Sequence, residues 1–325
     1  MRLGILGTGK IVQDFLPMVK RIPAIELVGL LSTPRSVARA RELQATYRIG
    51  TVYTDYAALL ADTTIDTMYV ALPNSLHYDY AKRALQAGKN VICEKPFTLV
   101  ASQLTELIEL AGRQDLVLIE AITNQYLENY QAIKRDLTKL GDLKIIECNY
   151  SQYSSRYDQF KAGTILPAFN PKLGGGALMD LNIYNIHFVV GLLGAPTHVQ
   201  YLANVERNID TSGILVLTYP NVKVVCIGAK DSTSPVRSTI QGTTGSIIVN
   251  GPTNTVESIT EIAHDGTTTD LALNQADHRM YAEFVAFERL IANHDMVTVK
   301  RQLDHSQAVM EVVDQALASA GLQLG

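Results

Sequence analysis

The chain of 325 residues contains no tryptophan, only three cysteines, and 18% charged residues. Cys93, Cys148 and Cys226 are too few and too scattered for a disulfide framework or a zinc knuckle, and read as reduced thiols. No block or stripe of Lys and Arg occurs and the net charge is −4, so nucleic acid is not an expected partner. The opening stretch MRLGILGTGK lacks the pattern of a secretory signal, and no apolar run of membrane-spanning length stands out. A cytoplasmic protein without a membrane partner is therefore expected. The absence of HExxH, of close His/Cys spacing and of GxSxG leaves metal and serine-nucleophile chemistry without support, so no metal is expected.

What is present is a chain long enough for two cores, with 47% hydrophobic residues. LGIL (3–6), ELVGLL (26–31), DTMYVAL (66–72), NVIC (90–93) and LVLIE (116–120) are short apolar runs separated by stretches of helical period. In 102–112, for instance, Leu104, Leu107, Ile108 and Ala111 share one face. Continuous apolar strands alternating with amphipathic helices predict an α/β domain over 1–121, a doubly wound parallel sheet covered on both faces. Beyond it, KIIECNYSQY (144–153), HVQYLANV (198–205), GILVLTY (213–219) and KVVCIGA (223–229) are β-branched and alternating, and Pro220-Asn221 is hairpin chemistry. An α+β domain over 122–325 with a large, mostly antiparallel open sheet follows. Helices expected at 177–191, 277–293 and 305–320 can cover one face of that sheet. A partner subunit is the economical cover for the other, so a homo-oligomer is expected.

The first strand runs into Gly7-Thr8-Gly9-Lys10-Ile11-Val12 and then a helix. In that setting Gly7 permits the tight turn and Gly9 lets a pyrophosphate approach the backbone at the helix N-terminus. Val12 stands where the dinucleotide fingerprint carries Gly or Ala. At the end of the second strand, where a carboxylate would grip the ribose of NAD, the chain reads Ser32-Thr33-Pro34-Arg35. Hydroxyls and an arginine suit the 2′-phosphate of NADP, so NADP is the expected cofactor, with NAD possible.

Glu94-Lys95-Pro96 lies at the carboxyl end of a parallel strand, the edge at which open α/β sheets bind ligands. Pro96 keeps Lys95 out of a helix, and the lysine offers a fixed cation with three donors. In the second half GGGALMDLNIYNIH (174–187) sets three glycines before a helix, with Asp180 and Tyr184 at i and i+4 and His187 three further on. A tyrosine near a lysine can carry a proton, because a cation lowers a phenol pKa from about 10. Taken alone, such a tyrosine is more often a core residue.

EKP after such a strand, with GGGALMDLNIYNIH downstream, resembles the glucose–fructose oxidoreductase/inositol dehydrogenase (GFO/IDH/MocA) family. ALPNSLHYDYAKRALQAGKNVICEKPF (71–97) and IQGTTGSIIV (240–249) look like further blocks of it, so the likeness covers essentially the whole chain. The resemblance implies a Rossmann domain and an NAD(P)-dependent oxidoreductase acting on a secondary alcohol or carbonyl of a sugar or cyclic polyol or diol. It implies a catalytic set of Lys95 polarising the reacting oxygen, Tyr184 exchanging its proton and Asp180 orienting substrate or Lys95; His187, placed by its spacing near the same face, is the rival base. Cofactor contacts are implied at Leu72, Pro73, Asn74, His77 and Glu94, beside Gly7, Thr8, Gly9, Lys10, Ile11, Ser32, Thr33, Arg35 and Lys95. The chain departs from the family's D-x-G-x-H segment at Asn182 and Tyr184. The tyrosine form resembles the branch containing dimeric dihydrodiol dehydrogenase and D-xylose dehydrogenase. A non-catalytic sugar sensor and an NAD-assisted glycosidase are the alternatives that the same fold allows.

Overall fold

A computed structural model describes all 325 residues, and the chain divides into two compact units. One comprises Met1–Ala121 and Met280–Gln307, the other Ile122–Arg279 and Ala308–Gly325. Residues 280–307, expected with the 122–325 domain, thus belong with the first unit.

The first unit holds six parallel strands: β1 (Arg2–Leu6), β2 (Glu26–Leu31), β3 (Thr51–Tyr53), β4 (Thr67–Val70), β5 (Asn90–Glu94) and β6 (Leu118–Ala121). Their order is β3-β2-β1-β4-β5-β6, the doubly wound dinucleotide-binding arrangement, whose switch point lies between β1 and β4. The apolar runs become strands because the sheet is buried on both faces; every residue of β4 and β6 is buried. β3 escapes the sequence reading because three half-exposed residues carry no periodicity. The helix Tyr281–Asn293 joins this unit through Phe284, whose ring lies 4.5 Å from Phe15 and 5.2 Å from Tyr69. Three aromatic rings hidden from water make that docking favourable by several kcal/mol (~1.5–3 for one large apolar side chain).

The second unit is built on eight strands: β7 (Leu143–Ser151), β8 (His198–Glu206), β9 (Ile209–Thr218), β10 (Lys223–Ala229), β11 (Arg237–Gly242), β12 (Gly245–Asn250), β13 (Ser258–Ala263) and β14 (Thr268–Leu271). The order is β14-β13-β12-β11-β7-β10-β9-β8, antiparallel except for the β10–β7 pair. Arg207 and Asn208, both at positive φ, close β8 onto β9 in two residues, as a primed hairpin turn requires. Ile146, Cys148, Leu215, Val224, Cys226 and Ile240 point to the buried face, against the helix Ile183–Leu193. On the other face Ile145, Leu202 and Ile214 stay 46%, 55% and 41% exposed.

The stretch Pro171–Leu193 is helical, long and apolar enough by composition to cross a membrane. Its most apolar window is 78% buried inside the protein, which makes it a core helix.

Candidate active site

The candidate residues fall in both units and are described unit by unit. In the first, Gly7 ends β1 at φ +108°, and a Cβ there would sit 2.7 Å from the carbonyl oxygen of Ala71. Only glycine permits this approach of the β1 and β4 ends. Gly9 caps the helix Lys10–Val19 without a side-chain hydrogen bond, and a Cβ built on it meets nothing within 4 Å. The helix N-terminus therefore opens on unfilled space above the turn, a cradle that fits a pyrophosphate. Thr8, Lys10 and Ile11 lie on this turn, while Val12 is wholly buried beneath it. Gln13 Nε2 donates to the carbonyls of Thr8 (3.0 Å) and Gly9 (3.2 Å), and Arg39 Nη2 donates to Gln13 Oε1 at 2.6 Å.

At the end of β2 Ser32 is buried and donates to the Thr33 carbonyl, and Thr33 Oγ1 lies 3.0 Å from Ser36 Oγ. Arg35 and Arg39 are exposed here. Arg39 is a second cation at this end that sequence reasoning missed, since only the fold brings it to Gln13, which braces the Gly7–Ile11 turn.

Leu72 and Pro73 follow β4, and Asn74 opens a short 3-10 turn that leads into the helix His77–Gln86. His77 is completely buried, with Nδ1 2.8 Å from the Pro96 carbonyl and Nε2 2.9 Å from the Leu72 carbonyl. Burial holds its pKa below the usual histidine value, against the pull of the two carbonyls. The ring, expected on the nicotinamide side, ties the end of β4 to the segment behind Lys95. Glu94, also expected at the cofactor, is buried and accepts a hydrogen bond from Tyr69 at 2.5 Å. Lys95 follows, half-buried, and its bond to Pro96 is cis.

In the second unit Gly174-Gly175-Gly176 has a physical explanation. A Cβ on Gly175 would lie 2.8 Å from Pro167 O, and one on Gly176, at φ +109°, would lie 2.0 Å from Asp210 Oδ1. Asp210 is buried, and its Oδ2 accepts from Leu178 N (2.6 Å) and Tyr201 Oη (2.7 Å). Burial pushes its carboxyl up to about 6.

Asp180 sits on a π turn, Leu178–Asn182, that precedes the α-helix Ile183–Leu193 carrying Tyr184. The simple i, i+4 relation expected of Asp180 and Tyr184 is thus altered, because a π turn is wider than an α turn. Asp180 remains 41% exposed and pairs at 2.7 Å with Lys230 Nζ, a residue absent from the sequence reading. Tyr184 is buried with its ring 6.2 Å from Tyr150, and its carbonyl accepts from Asn124 Nδ2. His187 is fully buried. Asn182 faces the sheet: Nδ2 donates to Cys226 O, Oδ1 accepts from Asn185 Nδ2, and its Cβ packs where only Gly228 leaves room. The asparagine departure is an anchor of the helix to β10.

Residues 1–122 match the family model described as an oxidoreductase family with an NAD-binding Rossmann fold. Residues 131–248 match the GFO/IDH/MocA C-terminal domain. The chain is 32% identical to scyllo-inositol 2-dehydrogenase (NADP(+)) of Bacillus subtilis, over 99% of this chain and 98% of that one. It is 28% identical to D-xylose 1-dehydrogenase (NADP(+)) of Hypocrea jecorina, over 99% and 92%. A solved 3-ketoreductase from Actinomadura kijaniata, in complex with NADP and TDP-benzene, has a TM-score of 0.83 at 22% identity, covering 98% of this chain and 97% of that one. That last likeness is one of fold.

Proposed function

The chain belongs to the GFO/IDH/MocA oxidoreductase family, and from that premise we propose that it is an NADP-preferring dehydrogenase of a secondary alcohol in a cyclic polyol or sugar. The observation that carries the substrate class is the likeness, along the full length of both chains, to an NADP-dependent scyllo-inositol dehydrogenase. Relatives named for D-xylose and for a dihydrobenzenediol keep sugars and cyclic diols within range. Cofactor choice is supported by the end of β2, where Ser32 and Thr33 are followed by the exposed cations Arg35 and Arg39 with no carboxylate among residues 32–36. A carboxylate there would repel a 2′-phosphate, whereas guanidinium groups pair with it.

A bound nicotinamide would supply the acceptor for the hydride of the carbinol carbon. The chain's own residues then handle the charge and the proton. The Gly7–Ile11 turn would hold the pyrophosphate, and Leu72, Pro73 and Asn74 would be further cofactor contacts. Tyr184 takes the hydroxyl proton in oxidation and returns it in reduction. Lys95 offers a cation to the oxygen that becomes the carbonyl, and Asp180 accepts a hydrogen bond from a substrate hydroxyl.

The test is a comparison of kcat/KM with NADP and NAD across scyllo-inositol, myo-inositol, D-xylose and trans-dihydrobenzenediol, in wild type and Arg35→Ala. Turnover with NADP on at least one, and a preference eroded in the variant, is the expected result. Equal or better efficiency with NAD overturns the cofactor assignment. Copurified NAD without net reduction would point to a glycosidase.

A further inference from the structure

We infer that Lys230 is a positioning residue for the reaction, a buried cation that holds Asp180 charged and oriented. It lies one residue beyond β10, its side chain 2% exposed. Its backbone is fixed on both sides: its N–H donates to Thr211 O and its carbonyl accepts from Ser154 N, each at 2.8 Å. The ammonium lies 2.7 Å from Asp180 Oδ2, donates to Ala168 O at 2.6 Å, and stands 4.5 Å from the centre of the Phe169 ring.

A buried ammonium is tolerated only where paired and hydrogen-bonded, so this one demands a carboxylate. The carboxylate directly paired with it is Asp180, the only member of the pair with appreciable exposure, while buried Asp210 is close enough to feel its charge. Lys230 therefore does two things through one atom. It fixes the side chain of Asp180 on its π turn, and it ties that turn to Ala168 in the segment before the three glycines. Phe169 of that segment is stacked on Phe160 at 4.8 Å in an apolar cluster with Tyr157 and Ile209, so the tie has a rigid anchor. An aspartate held in this way is a fixed acceptor, suited to a hydroxyl donor on the substrate and hostile to an anionic group.

The inference rests on the reading that Asp180 contacts substrate, and the experiment separates the two. Oxidation of scyllo-inositol by NADP is followed for Lys230→Met, Asp180→Asn and the double variant, with NADPH binding titrated by fluorescence and Tm recorded. Lys230→Met should lower kcat/KM about 100-fold, the loss typical of a group displaced by an ångström, with NADPH affinity unchanged. In the Asp180→Asn background the same substitution should change kcat/KM little, because its route to the substrate is already cut. It should also raise the Tm of Asp180→Asn, by removing the cation stranded there. Independent, multiplicative losses would make Lys230 a structural residue and overturn the inference. Near-wild-type kcat/KM in Asp180→Asn would instead overturn the substrate role of Asp180. Should Lys230→Met fail to fold, Lys230→Gln keeps a donor, removes the charge and must meet the same criteria.

Discussion

Tyr184 is the residue on which the proposed chemistry turns. Removing a hydride from a carbinol without removing the hydroxyl proton leaves a protonated carbonyl, so a base must act in step. Asp180 is committed to Lys230, and His187 is buried further along the helix. A positioned acid or base contributes about 10²–10⁴-fold. Tyr184→Phe is therefore expected to lower kcat by that range while leaving NADP affinity intact, since the ring is kept and only the proton carrier is lost. Steady-state kinetics beside a cofactor titration measure both quantities. Near-wild-type kcat in Tyr184→Phe, together with its loss in His187→Ala, would transfer the role to His187.

Among elements, the hairpin of β8 and β9 stands out because it brings Asp210 under the start of the π turn, where Leu178 N and Tyr201 Oη donate to it. Its carboxyl is pushed from an ordinary 3.8 to about 6 by burial, the dominant cause, against the pull of those donors and of Lys230. The raised value means that the folded state binds the proton more tightly than the unfolded state does. Asp210 thus favours folding below its ordinary value, and this advantage is lost as pH rises through about 6. At pH 7 the loss is on the order of 3 kcal/mol. Asp210→Asn has no such ionisation, so its stability relative to wild type should improve between pH 4 and pH 7 by that order. Denaturant midpoints across the interval measure it, and parallel wild-type and variant curves would show that Asp210 does not titrate there.

At the scale of the whole molecule, the open face of the second sheet calls for a partner. Leu202 stands opposite Ile214, Ile214 opposite Ile227, and Val216 opposite Val225, so an apolar stripe crosses three strands. We propose that a second copy of the chain covers it, since a two-fold contact lets one apolar stripe bury its own equivalent. Light scattering at micromolar concentration should report a homo-oligomer. Leu202→Asp combined with Ile214→Asp, both on the exposed face, should shift it toward monomer with the fold retained. A monomeric wild type would remove the proposal.

The sequence by itself determined whatever depends on near neighbours. Short apolar runs between amphipathic stretches specify buried parallel strands, and Gly7 and Gly9 after the first of them specify an open helix N-terminus. The EKP lysine was legible because a charge at the end of an apolar strand must surface at the sheet edge. Lys230, after KVVCIGA, also follows an apolar strand, yet it stays buried because Asp180 pairs with it. Tertiary structure decided what depends on register between distant segments. The polar start of β9, Ile209-Asp210-Thr211-Ser212, reads as loop, yet it is strand because Tyr201, Leu178 and Asp231 satisfy its side chains. His77 faces carbonyls of Leu72 and Pro96, Asn182 is seated against Gly228, and Phe284 carries a late helix into the first unit. Periodicity is written in local composition, whereas the partner of a buried polar group is chosen only when strands align and the chain closes around it.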